Sequence, residues 1–167
     1  PLDVSQDQRF YNVERKNFSG DAEEFAISPN GEFLAYVLQG EVFIKKNDPS
    51  KSRSVQVTDH SFRDRDVDFL SDSKLIFASD RDGQYELYSI EPSKSDQNLF
   101  ESLQFNLNRL TDTEASERNP VVSPNREKVA FNRGRGQLVV SAVNDSGGLG
   151  ESTTLLDTGW AEASDVA

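Results

Sequence analysis

A twelve-residue phrase occurs twice in this chain, and it limits what the chain can fold into. Phe25-Ala26-Ile27-Ser28-Pro29-Asn30-Gly31-Glu32-Phe33-Leu34-Ala35-Tyr36 corresponds position by position to Pro120-Val121-Val122-Ser123-Pro124-Asn125-Arg126-Glu127-Lys128-Val129-Ala130-Phe131. Between them Val67-Asp68-Phe69-Leu70-Ser71-Asp72-Ser73-Lys74-Leu75-Ile76-Phe77 is a degenerate copy, one residue shorter. A second phrase follows each copy: Gly40-Glu41-Val42-Phe43-Ile44, then Gly83-Gln84-Tyr85-Glu86-Leu87-Tyr88, then Gly136-Gln137-Leu138-Val139-Val140. Each unit closes on Val57-Thr58-Asp59, Leu110-Thr111-Asp112 or Leu155-Leu156-Asp157. Ser28 and Ser123 lie 95 residues apart over two units. A repeat of roughly 40 to 50 residues is the period of stacked or radial repeat architectures.

Local chemistry says what each unit is. In Ser-Pro-Asn-Gly, Pro presets φ and Gly accepts a positive φ, so the phrase is a tight turn. Apolar alternation on both sides marks strands. Phe occurs 11 times, and aromatic and β-branched residues suit a pleated, half-buried surface. Each unit therefore reads as four strands: 25–28, 33–38, 41–46 and 53–57; then 65–70, 74–79, 84–91 and 106–111; then 119–123, 128–132, 137–143 and 152–157. The expected fold is all-β, a β-propeller of about three four-stranded blades in an incomplete ring, with blades over 25–58, 65–112 and 119–157. Residues 8–15 read as the outer strand of a preceding blade and 161–167 as the inner strand of a following one. Ser93 to Leu103 is an insertion with a short helical turn expected over Asn98 to Leu103. Propellers close with typically 4 to 8 blades, so further blades are expected from a longer polypeptide or from other copies of the chain.

Charge and residue types narrow the function. The net charge is −11, which argues against nucleic acid and anionic membrane as partners, since both need a basic face. With no cysteine, disulfides and thiolate metal sites are excluded. No apolar run approaches the roughly 20 residues of a membrane span.

The blade phrases, with Ser79-Asp80-Arg81-Asp82-Gly83-Gln84-Tyr85-Glu86-Leu87-Tyr88 and Arg109-Leu110-Thr111-Asp112, resemble the repeats shared by TolB and the tricorn-type proteases. Gln39-Gly40-Glu41-Val42-Phe43-Ile44, the blade start Asp64-Arg65-Asp66 and the junction Leu155-Leu156-Asp157-Thr158-Gly159-Trp160 resemble the tricorn-like proteins in particular. The chain departs from the repeat at Leu70, where the Ser-Pro turn is lost, and at Arg126, where Gly is usual. The resemblance implies a non-catalytic propeller portion of a tricorn-like serine protease of the tail-specific class. It would guide or sieve peptide substrates toward a catalytic domain outside this chain, in the periplasm or another compartment outside the cytoplasm, with the cytoplasm as the alternative; no cofactor or metal is expected. The alternatives are a TolB-like scaffold that binds protein partners, and the propeller of a prolyl-oligopeptidase-type enzyme.

His60, the only histidine, lacks the base-and-orienter arrangement of a triad and reads as a loop residue. Ser28 and Ser123 lack a nucleophile elbow and are expected to bond their own turn backbone. Asp80-Arg81-Asp82-Gly83 lacks the ligand spacing of a calcium loop and reads as a hairpin turn, as does Gly134-Arg135-Gly136. One feature suggests binding. Arg63, Arg65, Arg81, Arg118, Arg133 and Arg135 should gather at one end of the blades, where guanidinium forks suit peptide carboxylates. The competing expectation is that Asp64, Asp66, Asp80, Asp82 and Glu117 neutralise them.

Overall fold

A computed structural model describes residues 22–159. The expected strands at 8–15 and 161–167, and Trp160 of the junction phrase, lie outside the described residues. Twelve strands form three four-stranded antiparallel sheets, each in sequential order. The first blade is β1 (Ala22–Ile27), β2 (Phe33–Leu38), β3 (Glu41–Lys46) and β4 (Ser54–Gln56). The second is β5 (Asp64–Ser71), β6 (Lys74–Ser79), β7 (Glu86–Pro92) and β8 (Phe105–Arg109). The third is β9 (Glu117–Val122), β10 (Lys128–Arg133), β11 (Gln137–Val143) and β12 (Leu149–Asp157). This is the expected propeller architecture: three consecutive blades of an incomplete ring.

The repeated serine makes its turn as expected. Ser28 Oγ accepts from the Phe33 N–H at 2.9 Å and donates to Asn30 Oδ1 at 2.7 Å. Ser123 repeats both bonds with Lys128 at 3.0 Å and Asn125 at 2.7 Å. Gly31 holds φ at 75° here, and Arg126 is forced to 62° at the same place. That left-handed conformation costs a non-glycine residue roughly 1–2 kcal/mol. Arg126 gains a bond between blades in return, Nη1 donating to the Phe69 carbonyl at 2.6 Å. The insertion after β7 contains one turn, in which the Asn98 carbonyl accepts from Glu101 and Ser102; it inserts Leu99, fully buried, under the first blade interface.

The core lies between the blades. The back of blade one (Ala35, Val37, Val42, Ile44) packs on the front of blade two (Phe69, Leu75, Phe77, Tyr88). The back of blade two (Leu70, Ile76, Ala78, Leu87) packs on the front of blade three (Val122, Val129, Phe131, Val139). Full burial of each large apolar side chain contributes about 1.5–3 kcal/mol, so each blade depends on its neighbours for its hydrophobic stabilisation.

Candidate functional site

Antiparallel order brings the β2–β3, β6–β7 and β10–β11 turns to the same end as the loops that connect blades. Backbone bonds tie them there: Asp64 N–H to the Gly40 carbonyl at 2.8 Å, Glu117 N–H to Tyr85 at 2.7 Å, and Gly134 N–H to Ser116 at 2.8 Å. All six candidate arginines occupy this end.

Two blade starts share one construction. Asp64-Arg65-Asp66 and Glu117-Arg118-Asn119 each place a fully buried carboxylate first and a left-handed residue third, with φ of 57° at Asp66 and 52° at Asn119. The buried carboxylate takes an arginine from the end of the second strand of its own blade or from the turn that follows it. Arg81 Nη2 lies 3.1 Å from Asp64 Oδ1, and Arg133 Nε 2.6 Å from Glu117 Oε1. The third residue joins blades. Asp66 N–H donates to Glu24 of blade one, and its carboxylate accepts from Arg118 Nε and from the Asn119 N–H, each at 3.1 Å. Arg65 also meets Asp66, at 3.6 Å. Both Arg65 and Arg118 lie against the Tyr85 ring, at 5.9 and 5.0 Å from its centroid.

Four of the six arginines are thus ion-paired, the outcome expected if local acids neutralise them. The reason is geometric: blade starts converge, so guanidinium and carboxylate groups from successive units meet. Arg63 and Arg135 are exposed and have no carboxylate within ion-pair distance among the described residues. Arg63 lines a polar cleft of about 340 Å³ with Gln39, Gly40, Asp64 and Arg65.

His60 is not an idle loop residue. Its Nδ1 accepts from the Phe62 N–H at 3.1 Å, and its Nε2 lies 2.7 Å from Arg81 Nη2 and 3.1 Å from Asp64 Oδ2. Glu41, His60 and Asp64 converge closely enough to suggest a cation site. The Arg81 guanidinium already sits against both His60 and Asp64, and the Glu41 oxygens accept from Thr58 Oγ1 and the His60 N–H. The Arg81 cation on Asp64 Oδ1 already supplies the positive charge at this cluster, while Asp64 Oδ2 has no hydrogen-bond donor. Asp80-Arg81-Asp82-Gly83 is a hairpin turn, with Gly83 at φ 95°. Asp80 Oδ1 accepts from the Arg63 N–H at 2.7 Å, and Asp82 accepts from the Tyr88 hydroxyl. Burial, then that carboxylate, push the Tyr88 phenol well above its ordinary range.

A network that sequence reading did not identify supports this end from below. Glu86 is fully buried and accepts from Thr111 Oγ1 at 2.7 Å, Gln84 Nε2 at 2.8 Å and the Thr113 N–H at 3.2 Å, with Arg109 Nη2 at 3.2 Å. Thr111 Oγ1 in turn accepts from the Leu87 N–H at 2.9 Å. Blade one repeats the core of it: Thr58 Oγ1 accepts from the Val42 N–H at 2.9 Å and donates to Glu41 at 2.8 Å.

No family model matches the chain, and no curated protein matches it in sequence. Solved structures do match in shape. The TolB-type protein of Agrobacterium tumefaciens superposes with a TM-score of 0.60 at 21% identity, over 79% of this chain and 48% of that one. TolB from Acinetobacter baumannii gives 0.61 at 19% identity, over 80% of this chain and 32% of that one. A puromycin-hydrolyzing peptidase from Mycobacterium tuberculosis gives 0.54 at 14% identity, over 79% and 22%. The chain spans less than half the length of each of these structures. Taken with the three sheets, these likenesses identify the fold: the chain is an arc of three blades of a TolB-like β-propeller.

Proposed function

We propose that this chain is a binding segment of a β-propeller, presenting the blade-start end to a protein or peptide partner and performing no chemistry itself. The observation that carries this reading is the polar cleft lined by Arg63, a cation with no carboxylate in ion-pair distance among the described residues, beside the Gln39–Gly40 turn. A single guanidinium fork suits a carboxylate, either a peptide C-terminus or an acidic side chain. A TolB-like scaffold role accords with the fold, and the location outside the cytoplasm implied by the sequence resemblance goes with it.

The peptidase among the structural neighbours favours a second reading, in which the arc belongs to a tricorn-like or other serine peptidase and controls access to its active site. Both readings share the binding step, so binding is tested first. Fluorescence anisotropy with a labelled acidic peptide should show saturable, salt-sensitive binding that Arg63→Ala weakens. Equal binding by wild type and Arg63→Ala, or none by either, refutes the proposed site. The readings then separate on the full polypeptide: deleting this arc should alter which peptides are cleaved only if a peptidase is attached.

A further inference from the structure

Cations also gather at the other end of the blades, where the Ser-Pro turns lie. Strand order brings the β3–β4 loop of blade one and the insertion of blade two together there. A cleft of about 380 Å³ opens between them, lined by Lys46, Ser50, Lys51, Ser52, Arg53 and Phe100. It lies at the junction of two described blades, not at either end of the arc.

The two blades supply different parts. Leu99 is fully buried and anchors the insertion in the first interblade core. Phe100 beside it packs on Phe33, with ring centroids 6.2 Å apart. Against the Phe100 ring lie the Arg53 guanidinium, at 5.1 Å from its centroid, and the Lys46 ammonium, at 5.7 Å. A ring face attracts cations, so Phe100 holds close together two charges that otherwise repel. Lys51 stands on the same cleft. None of the three has a carboxylate within ion-pair distance among the described residues. The acid of the loop, Asp48, feels Lys45 and Lys46 at longer range, but its Oδ1 is spent on the Ser50 N–H at 2.9 Å.

In a chain of net charge −11 this cleft is a local reversal of sign, and it sets the size of what can bind. Salt screens charges more than about 8–10 Å away, so a small anion held in the cleft meets its cations. An extended polyanion would also meet the acidic surface around it. We propose that the cleft binds a small phosphate-type dianion, either the free ion or the end of a small phosphomonoester. At neutral pH a phosphomonoester carries roughly −1.5 to −2 charges and three acceptor oxygens, a match for three cations around one opening. Arg53 offers a planar fork, the lysines offer point charges, and the Ser52 hydroxyl adds a neutral donor. A carboxylate brings one charge and leaves cations unmatched. The site is separate from the Arg63 cleft and does not depend on peptide binding there.

Isothermal titration calorimetry with inorganic phosphate, and separately with glycerol phosphate, tests this in chloride buffer of fixed ionic strength. The expected result is saturable one-site binding, about tenfold or more tighter than that of acetate. Lys51→Gln and Arg53→Gln, both at exposed positions, should keep their strand circular dichroism and each weaken binding about fivefold or more. Lys45→Gln is the control. It removes the same charge from the neighbouring residue of β3, which does not line the cleft, and should leave affinity within about twofold. Absence of saturable binding by both probes at millimolar concentration overturns the proposal. So does acetate binding as tightly as phosphate. Equal weakening by Lys45→Gln and Arg53→Gln would mean general attraction to positive charge, and overturns it too. Tighter binding of inorganic phosphate upholds the site with the free ion as ligand, and tighter binding of glycerol phosphate upholds it with a monoester.

Discussion

Thr111→Val should be among the most damaging conservative substitutions in the molecule. It exchanges a hydroxyl for a methyl group of similar shape, so packing is retained and only hydrogen bonding changes. Two bonds go: Leu87 N–H to Thr111 Oγ1 at 2.9 Å, and Thr111 Oγ1 to Glu86 at 2.7 Å. The first leaves a backbone donor in the blade interior without its acceptor, a cost of roughly 1–3 kcal/mol. The second removes a donor from a carboxylate that is fully buried, and water cannot replace it. Glu86 keeps Gln84, Thr113 and Arg109, so this part is a fraction of a charged hydrogen bond's roughly 1.5–3 kcal/mol. The sum is about 2–4 kcal/mol. Thr58→Val makes the same change in blade one, where the Glu41 side chain is 15% exposed and water compensates in part, so about 1–2 kcal/mol is expected. Thr111→Ser keeps the hydroxyl and should stay within about 1 kcal/mol of wild type. Urea unfolding followed by circular dichroism measures all three. A loss below about 0.5 kcal/mol for Thr111→Val, or a larger loss for Thr58→Val, would refute the view that this buried acid is held by its threonine.

Three other expectations follow from the same contacts. Arg126→Gly and Arg126→Ala both lose the bond to Phe69, but only Gly relieves the positive φ, so the Gly variant should be the more stable by about 1 kcal/mol in denaturant titration. Arg81→Leu leaves the fully buried Asp64 carboxylate with only His60 beside it and should destabilise by about 3–5 kcal/mol; adding Asp64→Asn should recover part of that loss in thermal unfolding. Burial and the Asp66 carboxylate hold the Glu24 carboxyl above its ordinary 4.5. The folded state therefore keeps that proton longer than the unfolded chain does, and stability falls as pH rises from 4.5 through the raised folded value. Glu24→Gln should remove that fall, seen as urea midpoints that decline less over this window than those of wild type.

Strand positions were legible because the turns are chemically demanding. Ser-Pro-Asn-Gly and the short glycine turns leave few alternatives, and β2, β3, β6 and β11 occupy the spans their flanking turns dictate. Where the backbone departs from plain alternation, the reading slips. The third blade starts at Glu117 rather than at 119 because Asn119 is left-handed and breaks the period of two. The second starts at Asp64, one residue earlier than read, with Asp66 left-handed in the same way. The gathering of the arginines was legible, since it follows from strand order alone. Their pairing was not: Asp66 and Arg118 are 52 residues apart, and only the packed blades show that they meet.

The Glu–Thr network was open to discovery in the sequence by a different route, because the repeat acts as its own small alignment. Glu41 goes with Thr58 and Glu86 with Thr111, while the third unit has Gln137 and Leu156 at the same two places. Both partners change together, as a buried acid and its hydroxyl donor must if neither is to be left unsatisfied. In the structure the third unit has replaced the pair: Gln137 Nε2 donates to Asp157 at 2.9 Å, and Leu156 lies opposite Leu138. A carboxylate and its hydroxyl donor have given way to one surface amide bond and one apolar contact on the back face of blade three. That face is the one a further blade would cover, so the substitution that dismantled the network also increased the apolar surface available for closing the ring.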